Sequence, residues 1–200
     1  MSSSRSSAVV NALSRPVVLV GLMGAGKSSV GWRLAAALSA PFFDSDTEIE
    51  AAAGMSIADI FERHGEASFR DGERRVIRRL LDGEPCVLAT GGGVFVSEEN
   101  RDLIAERALS VWIDADVETL WNRVKDRSTR PLLLTADPRG VLLGLWKGRR
   151  SAYAKADIRV ESPPGITHEN MVQRIVSALA ARDRDDPARP PILRRDPSHE

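Results

Sequence analysis

The sequence has only one cysteine, Cys86, among its 200 residues. A single cysteine excludes an intrachain disulfide and any metal site built from several thiolates. Its neighbours Val87 and Leu88 suggest an unreactive thiol that is buried in a strand. The sequence also lacks an apolar run near the roughly 20 residues that a membrane-spanning helix needs. We therefore expect a soluble, cytoplasmic protein with no membrane partner.

The chain also has no net charge, since 28 Lys and Arg residues balance 28 Asp and Glu residues. Proteins that bind nucleic acid usually carry a basic excess or a basic stripe, so we expect no nucleic-acid partner. A chain of this length suits a single domain with one full core. We expect a monomer whose partners are small molecules.

Both ends of the chain have compositions that favour a disordered tail. Residues 1–15 are rich in Ser and Arg and lack acidic residues, but they are too short and too little amphipathic for a transit peptide. Residues 182–200 mix charges of both signs with several prolines. We expect disordered tails over these two segments and a folded domain over residues 16–181.

One glycine-rich stretch is more informative than any other part of the sequence. It reads Gly21-Leu22-Met23-Gly24-Ala25-Gly26-Lys27-Ser28, which has the form G-x-x-x-x-G-K-S. An apolar run, Val17–Val20, precedes it and an amphipathic segment follows. In this setting the glycines let successive N–H groups converge on an anion at the start of a helix. The lysine and serine then supply a mobile cation and a Mg²⁺ ligand, so we predict a phosphate-binding loop rather than a chance glycine turn.

Strands and helices alternate along the rest of the domain. Short apolar runs typical of buried strands occur at residues 17–20, 42–43, 86–89, 109–113 and 158–160. Amphipathic segments of helical period separate them. This alternation predicts an α/β fold, a three-layer sandwich in which helices cover both faces of a five-stranded parallel sheet.

Two aspartates, Asp44 and Asp46, follow the second predicted strand. One interpretation is structural, because Ser45 and Glu48 have the spacing of a capping box and Asp46 favours a helix start. The other is functional: Asp44 holds Mg²⁺, directly or through water, and Asp46 faces an acceptor hydroxyl. Ligands of open α/β sheets bind where parallel strands end, which is where these carboxylates lie. Both interpretations can hold together.

Two further patterns each allow a structural and a functional interpretation. In the helix that Gly65 opens, Glu66, Arg70 and Glu73 share a face. They form a surface ion pair, or else Glu73 orients Arg70 to bind a substrate carboxylate. The third strand runs into a glycine triplet, residues 91–93, which forms a loose turn or brings bare backbone close to a ligand.

Basic residues cluster between the fourth predicted strand and the predicted helix that carries Arg149. Arg123, Arg127 and Arg130 lie at a predicted helix end, where a solvated basic terminus is the ordinary explanation. The loop that follows is long and apolar, so we predict a mobile lid over residues 127–139. Beyond it, Arg149 lies one helical turn before Tyr153.

Taken together, these motifs resemble the shikimate kinase family. They are the phosphate loop, Asp-Ser-Asp at 44–46, Gly-Glu-x-x-Phe-Arg-x-x-Glu at 65–73, Gly-Gly-Gly at 91–93, Arg-Pro-Leu-Leu at 130–133 and Arg-x-x-x-Tyr at 149–153. Each motif is modest alone, but their order and spacing are specific. The resemblance covers about residues 17–179. It implies a P-loop fold of the nucleoside-monophosphate-kinase type and ATP-dependent phosphorylation of the 3-hydroxyl of shikimate, on the route to aromatic amino acids.

The resemblance also implies a role for each matching residue on the donor side. The ATP phosphates would be held by Gly24, Ala25, Gly26, Lys27, Ser28 and Ser29. Lys27 would contact the transferring group, and the cofactor Mg²⁺ would be bound by Ser28 and, through water, by Asp44. Arg130 would close over the phosphates and Arg123 would lie near the adenine. Relatives often carry polar or basic residues near the adenine after the last strand. The segment Glu161–Pro164 departs from that pattern, so the resemblance does not extend to a side-chain contact with adenine there and leaves backbone contacts open.

On the acceptor side, the resemblance implies that three kinds of protein group bind shikimate. Asp46 would bind the shikimate hydroxyls and accept the proton of the 3-hydroxyl. Arg70 and Arg149 would bind the carboxylate. Backbone of the glycine triplet, Gly91, Gly92 and Gly93, would contact a hydroxyl. Catalysis would thus depend on Lys27, Asp46 and Arg130.

Three alternative functions share parts of this pattern. A gluconate kinase has the same fold. It lacks the combination of two arginines that bind a carboxylate, the Asp-Ser-Asp motif and the triple-glycine motif. A nucleoside-monophosphate kinase would direct its arginines at an acceptor phosphate. A non-catalytic nucleotide-binding module usually loses the lysine or the aspartates. Because Lys27, Ser28, Asp44 and Asp46 are all present, the sequence favours an enzyme.

Overall fold

The strands of a computed structural model form two sheets, and the structure describes residues 12–125, 133 and 135–194. The strands are β1 Ala12–Leu13, β2 Val17–Val20, β3 Phe42–Asp44, β4 Val87–Ala89, β5 Leu109–Asp114, β6 Ile158–Glu161 and β7 Leu193–Arg194. The larger sheet has the order β3-β4-β2-β5-β6, and every neighbouring pair in it is parallel. The predicted five-stranded parallel sheet is confirmed.

Helices connect these strands and cover both faces of the sheet. They are α1 Lys27–Ala37, α2 Ser45–Ala53, α3 Ile57–Leu81, α4 Glu98–Arg107, α5 Val117–Val124, α6 Pro138–Tyr153 and α7 His168–Asp185. A short 3₁₀ turn, Val94–Val96, follows β4. Helix α3 breaks at Gly65, where φ is 76° and ψ is 174°. All the strands of the larger sheet are parallel, so the loops that follow them meet at one edge, where ligands of such sheets bind.

The core lies on the two faces of the central strands. All four residues of β2 are fully buried, as the continuous apolar run Val17–Val20 predicts for a strand covered on both sides. Cys86, just before β4, is fully buried too. Burial raises the pKa of its thiol to about 11, so the thiol is the unreactive one that the sequence suggested. No helix in the described part of the chain is long and apolar enough to cross a membrane.

The two ends of the chain differ from the prediction. Instead of ending near residue 181, α7 continues to Asp185, and the chain then returns to form β7. Strand β7 pairs antiparallel with β1. Ile192, just before β7, is fully buried. The predicted disorder is therefore wrong for residues 12–15 and 182–194. Tertiary contacts of a few apolar residues order these segments despite their polar composition.

The Asp183 carboxylate holds this terminal pair of strands to α7. It accepts the backbone N–H groups of Ile192 and Leu193 at 2.9–3.0 Å and pairs with Arg182 at 2.9 Å. Asp183→Ala leaves both N–H groups without their acceptor, and we expect it to lower the free energy of unfolding by about 1–3 kcal/mol. Urea titration measures this change. Asp185→Ala, which removes an exposed carboxylate two residues away, is the control; equal midpoints for both variants would contradict the prediction.

Candidate active site

The glycine-rich loop connects β2 to α1 at the ligand-binding edge of the sheet. Gly26 caps α1 with φ at 94°, and Gly24 has φ at 82°. A Cβ atom on Gly24 would also lie 2.8 Å from Val124 Cγ1, so this position has no room for a side chain. The loop thus presents bare backbone in front of the helix N-terminus, which is the geometry of an anion site.

Lys27, the first residue of α1, lies within this loop. Its side chain is buried, and Nζ donates to the carbonyl oxygens of Gly21 at 2.7 Å and Leu22 at 3.0 Å. A buried ammonium group attracts an anion more strongly than an exposed one, because less water screens it. The lysine therefore lies where its charge acts on any phosphate that the loop binds.

Ser28 and Asp44 bring two hard oxygen ligands together beside the loop. The Ser28 hydroxyl donates to Asp44 Oδ2 at 2.6 Å. Asp44 also caps α2, since its Oδ1 accepts the Asp46 N–H at 3.1 Å. The predicted capping box of Ser45 and Glu48 is wrong, because Asp44 takes the capping position. Ser45 is the first helical residue, and its hydroxyl accepts the Gly91 N–H at 2.9 Å. Asp44 therefore caps α2 and also contacts Ser28, the other residue that the functional interpretation assigns to Mg²⁺.

Asp46 faces the glycine triplet after β4. A Cβ atom on Gly91 would lie 2.6 Å from Asp46 Oδ1, so any larger residue here would push the carboxylate out of this position. Burial in the cleft raises the pKa of Asp46, the nearby charge of Asp44 raises it further, and Lys27 opposes both effects. Helix α2 thus places a carboxylate between the phosphate loop and the triplet.

Arg70 approaches the same triplet from α3. Its Nη1 donates to both carboxylate oxygens of Glu73, at 3.2 and 3.1 Å, and its Nη2 donates to Glu66 at 3.3 Å. Glu73 is only 2% exposed, so this is not a plain surface pair. Burial raises the pKa of Glu73, whereas the charge of Arg70 lowers it. A Cβ atom on Gly93 would lie 3.0 Å from Arg70 Nη1, so the glycine gives the guanidinium room.

Arg149 reaches the triplet from α6, on the opposite side. Its Nη1 donates to the Gly92 carbonyl at 3.0 Å, and the Tyr153 hydroxyl donates to the same oxygen at 2.5 Å. Each glycine of the triplet therefore has one functional side chain as its neighbour: Asp46, Arg149 and Arg70, respectively. The structure brings the acceptor-side residues of the sequence prediction together around this one backbone segment.

A second contact of α6 explains how Arg149 is positioned. The next residue, Arg150, makes a bidentate pair with the buried carboxylate of Asp114 at the end of β5, at 2.8 and 3.0 Å. Trp146 Nε1 also donates to the Ala115 carbonyl at 3.2 Å. A bidentate arginine pair fixes both distance and orientation. Helix α6 is thus held to the sheet next to the residue that reaches Gly92.

Arg123 lies on the far side of the phosphate loop. It donates to the Gly24 carbonyl at 3.4 Å and to the Ser162 hydroxyl at 3.1 Å. Burial lowers the pKa of Arg123, and the charge of Asp116 opposes that effect. Ser162, which lies in the segment that departs from the family pattern, is buried. Its contact with Arg123 holds the guanidinium beside the phosphate loop.

These elements enclose a cleft of about 290 Å³. It is lined by the phosphate loop, Asp44, Asp46, Gly91, Gly92 and Arg123. Arg70, Gly93 and Arg149 lie beside the cleft, not in its lining. Sequence reasoning missed the lining residues Ser162, Ile166, Thr167, His168 and Met171. The Thr-x-x-Asn spacing at 167–170 could have located them, because Thr167 caps α7 by accepting the Asn170 N–H at 3.2 Å.

One predicted catalytic residue, Arg130, lies outside the described residues, as does most of the predicted lid over residues 127–139. The remaining predicted site residues all belong to the described part of the chain. They converge on two adjacent places, the phosphate loop and the glycine triplet, which share Asp46 and the cleft between them. Such an arrangement suits a site for two ligands side by side.

Comparison with known proteins identifies relatives over most of the chain. A sequence model described as "Shikimate kinase" matches residues 23–180. The shikimate kinase of Ruegeria pomeroyi is 57% identical over 171 residues, which are 86% of this chain and 88% of that protein. The shikimate kinase of Bradyrhizobium diazoefficiens is 54% identical over 84% of this chain and 80% of that protein.

Solved structures agree with the sequence comparison. The shikimate kinase of Acinetobacter baumannii, in complex with shikimate, superposes with a TM-score of 0.79 at 36% identity, over 84% of this chain and 94% of that chain. A gluconokinase from Sinorhizobium meliloti superposes with a TM-score of 0.60 at 18% identity, which shows the shared fold alone. The chain belongs to the shikimate kinase family.

Proposed function

We propose that this chain transfers the γ-phosphoryl group of ATP to the 3-hydroxyl of shikimate, giving shikimate 3-phosphate and ADP on the route to chorismate and the aromatic amino acids. One observation supports the substrate most directly. Asp46, Arg149 and Arg70 each adjoin one glycine of the triplet, next to the phosphate loop. Shikimate has one carboxylate and three hydroxyls. The two arginines match the carboxylate, and the aspartate and the triplet backbone match the hydroxyls.

On the donor side, we propose that the loop from Gly24 to Ser29 binds the ATP phosphates with its backbone N–H groups. Lys27 places its charge on the transferring group, and Arg123, oriented by Ser162, contacts the adenine. Arg130, outside the described residues, closes over the phosphates from the lid. These cations neutralise the charge that spreads over the phosphoryl oxygens in the transition state.

The donor set beside the loop fits Mg²⁺. Ser28 Oγ and the Asp44 carboxylate lie 2.6 Å apart, and Mg²⁺ prefers oxygen ligands. Mg²⁺ is usually bound by one or two protein oxygens, with phosphates and water completing its shell. This matches the absence of a cluster of three or more acidic, His or Cys side chains from the described residues. Ser28 and Asp44 would hold the ion, and when bound it would supply positive charge that offsets the charge of the phosphates.

On the acceptor side, we propose that Arg70 and Arg149 bind the shikimate carboxylate. Glu73 holds Arg70, and the Arg150–Asp114 pair holds α6. Asp46 binds the shikimate hydroxyls. It accepts the proton of the 3-hydroxyl as the oxygen of that hydroxyl attacks the γ-phosphorus. The bond from that phosphorus to the β,γ-bridging oxygen breaks, and ADP leaves with the electron pair. Catalysis here is mainly positioning and charge neutralisation.

We also propose that the protein acts as a cytoplasmic monomer on small molecules alone, without a nucleic-acid or membrane partner. The equal numbers of acidic and basic residues support the absence of a nucleic-acid partner, because the chain has no net positive charge that would attract a polyanion. Size-exclusion chromatography with light scattering tests the oligomeric state. A dimer at micromolar concentration would contradict that part of the proposal.

A coupled ADP-release assay tests the proposed reaction. Shikimate, gluconate and nucleoside monophosphates are compared as acceptors at the same concentration of Mg²⁺-ATP. We expect ADP release to rise with shikimate and to stay at the background rate with the other acceptors. No stimulation by shikimate would overturn the proposal, and stimulation by gluconate or a monophosphate would favour one of the related kinases.

Arg149→Ala tests the carboxylate site. It removes a charge-assisted bond to the substrate while Tyr153 continues to hold the Gly92 carbonyl. We expect the KM for shikimate to rise by about 10–100-fold, the equivalent of a hydrogen bond to a charged group. The KM for ATP should change little. Initial rates with each substrate varied in turn measure both constants.

The control for that variant is Lys147→Ala, which removes an exposed cation from the same helix. It should leave both constants unchanged. Arg149→Lys keeps the charge but loses the planar fork, so its KM for shikimate should lie between those of wild type and Arg149→Ala. Equal weakening of shikimate and ATP in Arg149→Ala would contradict a carboxylate role.

A further inference from the structure

Ser45, between the two aspartates of the Asp-Ser-Asp motif, has no part in the proposed chemistry. It is the first residue of α2 and is fully buried. Its hydroxyl accepts the N–H of Gly91 at 2.9 Å, from a residue 46 positions further along the chain. The same hydroxyl donates to Asp46 Oδ1 at 3.4 Å. Ser45 therefore contacts two groups of the proposed acceptor site at once.

The contact with Gly91 lies just beyond the last backbone pair of two neighbouring strands. In the sheet, Asp44 at the end of β3 is paired with Ala89 at the end of β4. Past that point the chain from β3 forms α2 instead of continuing the ladder. The Ser45 hydroxyl takes the place of a backbone acceptor and binds the Gly91 N–H. One side chain thus links the start of α2 to the start of the glycine triplet.

This link determines where the Asp46 carboxylate lies. The carboxylate packs directly against Gly91, since an added Cβ atom there would lie 2.6 Å from Oδ1. The 3.4 Å contact from the Ser45 hydroxyl is longer than an ordinary O–H···O bond, so it orients the carboxylate only weakly. The shorter bond to Gly91 is therefore the main support. It holds the helix that carries Asp46 at a fixed distance from the triplet.

The two neighbours of the hydroxyl need opposite hydrogen-bonding groups. The Gly91 N–H is a donor and an ionised carboxylate only accepts, so the group between them must accept once and donate once. A serine hydroxyl does both in a small volume, which suits a fully buried position. The residue type at position 45 thus matches the two groups that it connects.

The glycine triplet has anchors on other elements as well. The hydroxyl of Thr90, just before the triplet, donates to the Leu19 carbonyl in β2 at 2.9 Å. Tyr153 in α6 donates to the Gly92 carbonyl at 2.5 Å. These bonds hold the triplet to β2 and α6 without Ser45. Loss of the Ser45 hydroxyl should therefore leave the segment folded and change mainly its relation to α2.

We propose that Ser45 is a positioning residue for phosphoryl transfer to the acceptor. Its hydroxyl holds α2 to Gly91 and so keeps the Asp46 carboxylate beside the triplet, where the reacting hydroxyl of the acceptor is bound. The acceptor class is a small carboxylic acid that bears several hydroxyls. A small displacement of a reacting group lowers the rate of a reaction that depends on positioning. This inference rests on the proposed function.

Ser45→Ala tests the proposal in the ADP-release assay. We expect kcat to fall about 3–10-fold, as for the loss of one hydrogen bond. The KM for shikimate should rise by a smaller factor, because Arg70 and Arg149 still bind the carboxylate, and the KM for ATP should change little. Rates are expressed per ADP-binding site, measured by isothermal titration, so that unfolded protein does not count as slow enzyme.

Two further variants separate the hydroxyl from the volume of the side chain. Ser45→Thr keeps the hydroxyl, so its kcat should return close to that of wild type. Ser45→Cys fills the same space with a thiol, which is a weak donor and acceptor, so its kcat should fall in the same direction as with alanine. It provides the test if Ser45→Ala does not fold. Wild-type kcat in Ser45→Cys, or a Ser45→Thr protein that binds ADP but is as slow as Ser45→Ala, would overturn the proposal.

Ser110→Ala is the matched control, because Ser110 is also a buried serine between a backbone N–H and a carboxylate. Its hydroxyl donates to Asp157 Oδ2 at 2.6 Å and accepts the Asp157 N–H at 2.9 Å. It pairs with Val18 in the sheet and does not line the cleft. We expect this variant to lower the Tm but to leave kcat per ADP-binding site unchanged. A loss of kcat equal to that of Ser45→Ala would mean that the effect comes from stability, and would overturn the proposal.

The same assay separates failure of the inference from failure of the proposed function. Wild-type protein without shikimate-stimulated ADP release would overturn the function. Active wild type, with kcat unchanged in Ser45→Ala, would overturn only the positioning role. A combined Ser45→Ala, Asp46→Asn variant adds a further check. Its kcat should lie below that of Asp46→Asn by less than the factor for Ser45→Ala alone, whereas full multiplication of the two factors would contradict a route through Asp46.

Discussion

Lys27→Met is expected to lower kcat by about 10²–10³-fold, as for the loss of one preorganised catalytic contact. Methionine keeps most of the length of the buried side chain and removes only the ammonium group. In the proposed transition state that group faces phosphoryl oxygens, in a site with little screening water. The loss should therefore be larger in kcat than in the affinity for ATP. Pre-steady-state and steady-state rates with saturating ATP and shikimate measure it.

The folded state of this variant needs a separate check, because Lys27 also donates to two carbonyl oxygens of its own loop. Its thermal midpoint and the binding of ADP should be compared with those of Lys155→Met, which removes an exposed lysine. A variant that binds ADP and keeps its thermal midpoint but turns over slowly supports the catalytic role. Turnover near the wild-type rate would contradict it.

Asp46→Asn should cause a similar loss, about 10²–10³-fold in kcat. The substitution keeps the shape that fits against Gly91 but removes the negative charge. An amide oxygen accepts a hydrogen bond from the shikimate hydroxyl less strongly and cannot take its proton at neutral pH. Binding of ATP should be nearly unchanged, since Asp46 belongs to the proposed acceptor site and adjoins Gly91. Isothermal titration with a non-hydrolysable ATP analogue and steady-state rates separate the two effects.

A matched control for Asp46→Asn is Glu62→Gln, which neutralises an exposed carboxylate in α3. It should turn over at the wild-type rate. If Asp46→Asn also turned over at that rate, the 3-hydroxyl would not need this carboxylate. A loss of ATP affinity equal to the loss of kcat would instead point to a disturbed Asp44, whose side chain caps the same helix.

Sequence reasoning succeeded where the signal was local. The phosphate loop needs glycines at fixed spacing between a strand and a helix, and all of these features lie within a dozen residues. The pair of Arg70 and Glu73 follows from helical spacing, so their contact was foreseeable. What the spacing could not show is that Glu73 is buried. That burial depends on α4 packing against α3, which changes an ordinary surface pair into a support for the site.

Contacts between distant parts of the chain were not predictable in the same way. Tyr153 and Gly92 are 61 residues apart, and Arg123 and Ser162 are 39 apart. Only the crossover connections of the sheet bring them together. The order of residues 182–194 was missed for a related reason. Composition describes the average of a segment, whereas one buried Ile192 and one carboxylate, Asp183, determine how this segment packs.

The pairing of β1 with β7 has a practical consequence for engineering the protein. It places residues 12–13 directly beside residues 193–194. Both lie at the end of the sheet where β2 begins, whereas the cleft lies beyond the other end of β2, about 13 Å away for a four-residue strand. A short linker between these neighbouring positions would allow circular permutation, with new ends opened in a surface loop. A fluorescent or affinity fusion attached there would lie at the end of the sheet opposite the cleft.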